Sequence, residues 1–447
     1  MSEFNMDALY SSFGAGNVID PGCFEKYNVK RGLRNADGTG VMAGVTNICN
    51  VHGYVVNEGE KQPCEGSLTF RGYNINDLVG AAASEDRFGY EEIAYLLLSG
   101  ELPDRNELKG FSELISRNRP LPEYFFEDMI LKAPSKNIMN KLARSILALY
   151  SYDDDPDEIS PKHEIDTAVS LIAKLPVIMV SAYEVKRRYF LGESMIMHPL
   201  VPGLSAAENI LSILRGDREY THEEAQLLDI MLMLHAEHGG GNNSTFTVRV
   251  LTSSGTDPYS AYAGGVGSLK GPRHGGANHK VREMHNCIKE NVKNWNDEGE
   301  VADFLRKILR KEAYDGKGLI NGMGHAVYTL SDPRAVILKK YAEKMAAGTE
   351  HEPEFRLLET IERLTPELFA EVKGSTKIMC ANVDMYSGFV YTMLGIPEDL
   401  FTPLFAVSRI AGWCAHRFEE ICTGRRIIRP AYKNVLKEKK YISLDER

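Results

Sequence analysis

Helix-start signals are the feature of this sequence that most constrains its fold. Four long segments with apolar residues at helical spacing each begin with a side chain that can cap a helix, followed by proline or a capping box. The four starts are Ser160-Pro161, Thr221 to Glu224, Asp332-Pro333 and Thr402-Pro403. No strands alternate with these segments, which argues against a doubly wound sheet. We therefore predict a mainly α-helical fold.

The limits of these helices are also indicated by the sequence. The first is predicted to run to Arg188, the second to the glycines at 239–241, and the last to end before Gly424. The first 75 residues are rich in Gly and Asn, and there we predict irregular structure with a few short strands, such as 45–49 and 67–70.

Charge and cysteine usage narrow the class of protein. The 447 residues suggest two or three folding units, and a net charge of −10 argues against a nucleic-acid binder. The most apolar stretch, 171–185, contains Lys174 and Pro176, so we predict no membrane span. The seven cysteines form no C-x-x-C pair and no zinc spacing, and the N-terminus lacks the features of a signal or transit peptide. We expect a cytoplasmic protein.

Two histidines lie near the end of the second predicted helix. His235 and His238 are three residues apart, which places both on one helical face. They could point into a pocket, or they could simply complement the negative end of the helix. A metal site would require further ligands, which this spacing does not supply.

Two glycine-rich segments each surround a histidine. His274 lies within Gly271–Asn278 and His325 follows Gly322-Met-Gly. Glycines leave the backbone accessible to a large ligand, although an ordinary loop would have the same composition. Arg334 comes soon afterwards, in the first turn of a predicted helix, where the helix dipole disfavours a cation. The arginine and the helix N-terminus could jointly hold an anion, or the arginine could be a surface residue.

An arginine and an aspartate lie in or beside apolar helical segments. Arg409 lies in a strongly apolar run, so it is expected either to grip a carboxylate or to form a core salt bridge. Asp384 precedes an apolar segment, where it could be a helix cap or a carboxylate base. A basic cluster ahead of Pro430, which could be a solvated face, consists of Arg425, Arg426 and Arg429.

In this order, the segments 271–278, 322–334 and 382–384 resemble the citrate synthase family. The matching motifs extend from about residue 235 to 430, with a looser likeness at 67–73. The resemblance implies that His274 hydrogen-bonds a thioester carbonyl, Asp384 removes a methyl proton and His325 polarises a keto group. It implies further dicarboxylate ligands at His238, Arg334 and Arg409, with Arg429 reaching across from a second subunit of a homodimer. It also implies contacts to coenzyme A from Leu269, Lys270, Gly271, Gly275, Gly276, Ala277, Asn278 and Lys377.

The same resemblance implies an architecture. A large helical domain, residues 1–239 and 396–447, would form the dimer, and a smaller helical domain, residues 240–395, would close over a cleft. One departure is that three glycines follow His238, where many relatives carry an acidic residue. No permanently bound cofactor and no metal are expected.

The resemblance implies condensation of acetyl-CoA with oxaloacetate and water to give citrate and CoA. The nearest alternative is a 2-methylcitrate synthase that uses propionyl-CoA, since one methylene changes specificity by only about 1–3 kcal/mol. Two further alternatives are a metal-dependent lyase or hydrolase, and a helical binding or scaffold protein without activity.

Overall fold

The computed structural model describes residues 7, 18–35, 38–57, 60–375, 378–424 and 426–446. Helices predominate within these residues, which confirms the predicted mainly α fold. In chain order they are α1 (Gly22–Lys26), α2 (Ile75–Ser84), α3 (Tyr90–Ser99), α4 (Arg105–Arg117), α5 (Ile138–Leu149), α6 (Pro161–Lys186), α7 (Ala206–Leu214), α8 (His222–His235), α9 (Asn243–Thr252), α10 (Pro258–Leu269), α11 (Ala277–Asn291), α12 (Glu298–Leu309), α13 (Pro333–Ala346), α14 (Glu352–Lys373), α15 (Asp384–Met393) and α16 (Phe401–Thr423).

All four predicted helix starts correspond to helices, but one cap differs. Ser160, Thr221 and Asp332 each accept a hydrogen bond from a backbone N–H in the first turn of the helix that they precede. Thr402 lies inside α16 and donates its hydroxyl hydrogen to the carbonyl oxygen of Gly275, at 3.0 Å. The cap predicted at Thr402 is therefore wrong, because a tertiary contact uses this hydroxyl.

The N-terminal strands are longer than predicted. β1 (Cys49–Asn57), β2 (Glu60–Phe70) and β3 (Tyr73–Asn74) form one antiparallel sheet in the order β1-β2-β3. The predicted strand at 67–70 lies in β2, whereas only the last residue of 45–49 is in a strand. Pairing between the two strands extends them through polar and glycine-containing sequence. Such sequence lacks the alternation of apolar residues by which a strand is recognised.

The chain divides into two compact units. The larger extends from Gly44 to Ile427, and the smaller consists of residues up to Ala43 and those from Ile428 onward. In the smaller unit the Lys433 ammonium lies 5.6 Å from the centre of the Tyr27 ring. The division predicted at residues 240 and 395 lies within the larger unit and stays a prediction.

Helix α16 is the centre of the larger unit. It packs against α3, α6, α8, α9 and α10, and most of its side chains are buried. Its Trp413 has no exposed surface, and its Arg417 forms a buried two-point ion pair with Glu164 of α6, at 2.7 and 2.8 Å. The charge of this arginine is therefore compensated, which is how a polar group is tolerated in such a core.

The helices from α11 to α15 pack against one another. Contacts join α11 to α15, α12 to α14, and α13 to both α14 and α15. Helices α9 and α10 instead pack against α16 and each other, and α10 also packs against α5. Of the residues that carry the predicted chemistry, Arg334 and Asp384 lie in the first turns of α13 and α15, whereas Arg409 lies within α16.

Among the described residues, the stretch Pro161–Leu191 is long and apolar enough to cross a membrane, with a mean hydropathy of 1.6 in its most apolar window. Of that window, 78% is buried inside the protein, as in the core helix of a folded domain. One such helix is weak evidence for a membrane span.

Candidate active site

His235 and His238, predicted to share a helical face, are separated by the end of α8. His235 is the last residue of the helix, and its Nδ1 lies 2.8 Å from the carbonyl oxygen of Met231. His238 lies beyond the helix, and its buried Nε2 has no hydrogen-bond partner among the described residues. The prediction of a shared face is therefore wrong. His235 is bound to its own helix through Nδ1, whereas the buried Nε2 of His238 is left without a partner among the described residues.

The electrostatic surroundings keep His238 neutral. Burial lowers its pKa well below the usual range, and the positive charges of Arg334 and Arg409 act in the same direction. Its ring lies 5.2 Å from the ring of His325 and 5.6 Å from that of Tyr328, measured between centroids. His238 thus lies in a cluster of aromatic rings and guanidinium groups.

The backbone fixes the tautomer of His325. The N–H groups of Val327 and Tyr328 both donate to its Nδ1, at 3.1 Å each. In a neutral ring the proton is then assigned to Nε2, which makes that nitrogen a hydrogen-bond donor. The ring of Tyr328 stacks on the imidazole with centroids 4.6 Å apart. The loop therefore presents a neutral N–H donor of defined direction.

Arg334 is held by the cap of its own helix. The Asp332 carboxylate accepts from Nε at 3.0 Å and from Nη2 at 2.7 Å, and also from the backbone N–H of Arg334. Although burial acts to lower the pKa of Arg334, Asp332 raises it above its usual value. A cation is thus tolerated in the first turn of α13 because the capping carboxylate compensates its charge. The surface-residue interpretation is excluded, since Arg334 is buried.

Arg409 carries the largest unsatisfied hydrogen-bonding capacity in the cluster. Its side chain is completely buried, and its Nε donates to the carbonyl oxygen of His235 at 2.6 Å. Both Nη1 and Nη2 are buried and have no hydrogen-bond partner within the described part of the chain. The guanidinium lies over the ring of Phe405, 4.6 Å from its centre, and burial lowers the arginine pKa to about 10. It remains protonated at neutral pH, so a buried cation with two unused donors faces the site.

This geometry decides between the two interpretations of Arg409. A core salt bridge would bring a carboxylate into contact with the guanidinium, and none is found among the described residues. Glu237 acts on the charge of Arg409 only from a greater distance. An unpaired buried cation is costly, by several kcal/mol, unless a ligand supplies the counter-charge. The paired donors of a guanidinium fit a carboxylate, so this arginine is suited to bind one.

His274 has the opposite tautomer to His325. The backbone N–H of Ser244 donates to its Nε2 at 3.3 Å, and the Ser244 hydroxyl lies 3.0 Å from the same atom. The ring proton is therefore assigned to Nδ1. Burial lowers the histidine pKa to about 4, with a further contribution from Arg409. Ser244 was not found by sequence reasoning, because 30 residues separate it from His274.

Asp384 is the first residue of α15, not its cap. The side chain of Asn382 accepts from the backbone N–H of Asp384 at 3.0 Å, which excludes the interpretation of Asp384 as the capping residue. No described residue donates a hydrogen bond to the Asp384 carboxylate. Burial raises its pKa to about 6, against the opposing effect of Arg334. A carboxylate of raised pKa is a stronger base than a solvated aspartate.

Backbone pairing joins the His325 loop to the Asp384 loop. Gly324 donates its N–H to the carbonyl of Cys380 at 2.7 Å, and Asn382 donates its N–H to the carbonyl of Gly322 at 2.8 Å. The Asn382 side chain also donates to the carbonyl of Gly324, at 2.9 Å. Two segments far apart in the sequence thus form one unit that carries the base and the N–H donor.

The loop predicted to contact coenzyme A is placed between α10 and α11. A methyl group on Gly276 would lie 2.9 Å from Cα of Pro272, and one on Gly275 would overlap the Leu269 carbonyl. The packing of the turn itself therefore requires glycine at these two positions. The reason expected from the sequence, access of a ligand to the backbone, is a different one. The turn presents His274.

The eight predicted coenzyme A residues are not equivalent in the structure. Leu269 is fully buried in the core, and the buried side chain of Asn278 donates to the Ser387 hydroxyl. The contacts of both residues to coenzyme A stay predictions. Lys270 and Gly276 border an open cleft of about 510 Å³. Gly271 and Gly275 shape the turn, and Ala277 is the first residue of α11. Lys377 lies outside the described residues.

Six of the predicted residues are brought together. The charges of Arg334 and Arg409 act on the pKa of His238, that of Arg409 acts on His274, and that of Arg334 acts on Asp384. His325 completes the set through its ring contact with His238. Arg429 is exposed and belongs to the smaller unit, and its role across a subunit interface stays a prediction. Arg426 is also exposed, as expected of a solvated charged face, while Arg425 lies outside the described residues.

The described part of the chain contains no group of three or more His, Cys, Asp or Glu side chains placed to hold a metal ion. The chemistry available at the site consists of two neutral imidazole N–H donors, one carboxylate base and two guanidinium groups. Such a set can bind a dianion, remove a proton from carbon and stabilise the oxyanions that result.

Comparison with known proteins defines the family. A profile described as citrate synthase, C-terminal domain, matches residues 35–431. The chain is 33% identical over 436 residues to a citrate synthase of Corynebacterium glutamicum, covering 96% of this chain and 91% of that one. It is 37% identical over 369 residues to a citrate synthase of Synechocystis, covering 82% and 84%. The chain belongs to the citrate synthase family of acyl-transferring condensing enzymes.

Two further relatives bear on substrates. A 2-methylcitrate synthase of Corynebacterium glutamicum is 32% identical over 426 residues, covering 94% of this chain and 98% of that one. A solved citrate synthase of Thermoplasma acidophilum, in a ternary complex with carboxymethyl coenzyme A and oxaloacetate, superposes with a TM-score of 0.74 at 26% identity. That match covers 94% of this chain and 99% of the other.

The unpaired donors of Arg409 predict binding of a small dicarboxylate. Succinate or malonate should raise the melting temperature, since a ligand at about 100 times its Kd stabilises a protein by about 2.7 kcal/mol. Arg409→Met should abolish this increment, as measured by differential scanning calorimetry. Arg105→Met, which changes an exposed arginine in α4, is the control and should keep the increment. A full increment in the Arg409 variant would contradict the assignment.

Proposed function

We propose that this protein condenses acetyl-CoA with oxaloacetate and water to give citrate and CoA. The observation that carries the proposal is the pair of unused N–H donors on fully buried Arg409. Close to it lie the Asp384 carboxylate and two imidazoles of opposite tautomer, His274 and His325. Membership of the citrate synthase family supports it. The Thermoplasma relative binds oxaloacetate together with carboxymethyl coenzyme A.

In the first step, Asp384 removes a proton from the methyl group of acetyl-CoA. A carboxylate is a weak base for such a carbon acid, so the reaction requires stabilisation of the enolate oxygen as it forms. Nδ1–H of His274 donates to this oxygen. Burial keeps the imidazole neutral, so it can donate to the enolate oxygen. Burial also raises the pKa of Asp384 to about 6, which makes its carboxylate a stronger base than a solvated aspartate.

In the second step, the enol carbon attacks the keto carbon of oxaloacetate. Nε2–H of His325 donates to the keto oxygen and increases the electrophilicity of that carbon. Arg334, Arg409 and His238 bind the carboxylates and fix the orientation of the dianion, which lowers the entropic part of the barrier. Water then hydrolyses the citryl thioester, and CoA leaves as the thiol.

We further propose that coenzyme A occupies the cleft bordered by Lys270 and Gly276, and that the reaction needs no metal. A homodimer, to which Arg429 contributes from the partner, and a cytoplasmic location are also part of the proposal. The location is supported by the cysteines, since all seven lie in the described residues and all are free thiols.

Release of thiol from acetyl-CoA tests the function directly. The wild-type protein should release thiol only when oxaloacetate is present, give citrate, and keep its rate in excess chelator. Asp384→Asn should lower kcat by about 100- to 10,000-fold, because a general base is lost. Asp166→Asn, at an exposed position of α6, is the control with unchanged kcat.

The acyl specificity is measured in the same assay. Higher kcat/KM with propionyl-CoA than with acetyl-CoA would make the protein a 2-methylcitrate synthase. Loss of activity in chelator would favour the metal-dependent alternative. No release with either thioester would leave a binding protein that has lost the chemistry. Unchanged turnover in the Asp384 variant would contradict the proposed mechanism.

The raised pKa of Asp384 predicts the acidic limb of the pH profile. Only the ionised carboxylate is a base, so kcat/KM should fall about tenfold per pH unit as the pH decreases below about 6. His274 should not add a second ionisation there, because its pKa is about 4. A limb with a slope of two would contradict this assignment.

Unfolding must be separated from this ionisation. Because the folded-state pKa of Asp384 is raised, its contribution to stability is greatest below the unfolded-state value of about 3.9 and is lost as the pH rises through about 6. Asp384 therefore destabilises the protein less at pH 5 than at pH 8. Activity lost at that pH should return on adjustment to pH 8, and the melting temperature measured at both values is the control.

Hybrid dimers test the proposed contribution of Arg429. Arg429→Ala and Asp384→Asn should each be nearly inactive alone. Mixed and reassorted, they should regain about a quarter of the wild-type rate, because half of the dimers are hybrids with one intact site of two. Asp384→Asn mixed with itself is the control. An absence of recovery despite proven subunit exchange would place Arg429 in its own subunit's site, or in none.

A further inference from the structure

The β1–β2 hairpin contains a large irregularity in its register. His52 pairs with Ser67, but the next pair is Tyr54 with Pro63, so Gly53 alone faces three residues of β2 that end at Gly66. Such bulges bend a strand and re-aim its backbone, and glycine within a strand marks a close approach of another chain segment. The proposed reaction makes no use of this bulge.

The segment that approaches the bulge is 327–333. A methyl group on Gly53 would lie 2.8 Å from both the carbonyl oxygen of Val327 and Cα of Tyr328. On Gly66 it would overlap the carbonyl oxygen of Ser331 and lie 2.8 Å from Cδ1 of Tyr328. The obstructing atoms are mostly backbone, which cannot rotate away. Glycine at both positions is therefore required for this packing.

Hydrogen bonds attach the same two glycines to the segment. The Thr329 hydroxyl donates to the carbonyl oxygen of Gly53 at 2.8 Å. The N–H of Gly66 donates to the Ser331 hydroxyl oxygen at 3.0 Å, and this hydroxyl in turn contacts Glu65. The bulge thus supplies one acceptor and one donor that the hairpin pairing leaves unused.

The segment carries part of the site. The N–H of Tyr328 donates to Nδ1 of His325, and its ring stacks on that imidazole. The Arg334 guanidinium carbon lies 5.9 Å from the centre of the same ring, and Asp332, which grips Arg334, lies next to Ser331. A shift of 327–333 would therefore move the direction of the Nε2–H donor and the position of the guanidinium together.

We propose that the bulge formed by Gly53 and Gly66 is a seat for residues 327–333, and that these glycines are positioning residues for the oxaloacetate site. The inference rests on the proposed function. With the domain division predicted from the sequence, the hairpin belongs to the large domain and the segment to the small one. The seat is then a contact across the cleft, which holds His325 and Arg334 in place when the domains close.

Three variants test the seat. Gly53→Ala and Gly66→Ala obstruct it, and Thr329→Val removes one hydrogen bond at almost constant shape. Gly80→Ala is the matched control, since nothing lies within 4 Å of a methyl group at this position in α2. Calorimetry gives the melting temperature, steady-state kinetics give KM for each substrate, and the ¹³C shift of bound [2-¹³C]oxaloacetate reports polarisation of its keto group.

The expected result is a change confined to the oxaloacetate half of the reaction. KM for oxaloacetate should rise about tenfold or more and kcat should fall in the glycine variants, since displacement by about 1 Å can cost about 100-fold in rate. The downfield shift of the bound keto carbon should decrease, and KM for acetyl-CoA should change by less than about threefold. Thr329→Val should show the same pattern to a smaller extent.

Two results would overturn the proposal. One is an unchanged oxaloacetate KM and ¹³C shift in Thr329→Val and in whichever glycine variant folds. The other is a lower melting temperature in the glycine variants with wild-type kinetics, which indicates a purely structural contact. Thr329→Val keeps the test valid if both glycine variants fail to fold. Failure of the proposed function would instead appear in the wild-type protein, as absent condensation or absent oxaloacetate binding.

Discussion

The buried guanidinium of Arg409 is the interaction on which the site depends. A cation in the central helix of the core would normally require a carboxylate, as Arg417 two turns later has in Glu164. Arg409 has only the carbonyl oxygen of His235 and the face of Phe405, and its two terminal nitrogens stay unsatisfied. The fold thus maintains an anion-binding position at a cost that a bound dicarboxylate would offset. The surrounding helices stabilise α16 strongly enough to tolerate it.

The other groups are arranged around that positive charge. His238 and His274 are kept neutral by burial, and Arg409 reinforces this for both. The backbone then selects opposite tautomers, with the proton assigned to Nδ1 in His274 and to Nε2 in His325. Neutral donors of fixed direction stabilise a developing oxyanion without competing with it for a proton. The same low-polarity surroundings raise the pKa of Asp384, so one physical cause prepares the donors and the base.

The loop after α8 is held by a buried glutamate and two basic side chains. Glu237 accepts from Nε2 of His416 at 2.9 Å and from the N–H of Gly239, whose φ of +87° suits glycine. Arg249 donates to Nδ1 of the same histidine, at 2.8 and 3.0 Å. Although burial acts to raise the pKa of Glu237, His416 and Arg409 hold it below the usual value. A buried carboxylate directly before His238 therefore anchors this loop.

The sequence by itself determined the helical class, the helix starts at Ser160, Thr221 and Asp332, and the identity of the family. These are local properties, because a cap or a glycine-flanked histidine is a pattern of neighbouring residues. Only the tertiary structure decided that His235 is structural while His238 faces the site, and that Arg409 lacks a carboxylate. It also revealed Ser244 behind His274 and the seat formed by the β1–β2 bulge. Most of these depend on which residues share a buried space, and spacing along the chain does not encode hydrogen-bond partners that lie between 30 and 276 residues apart.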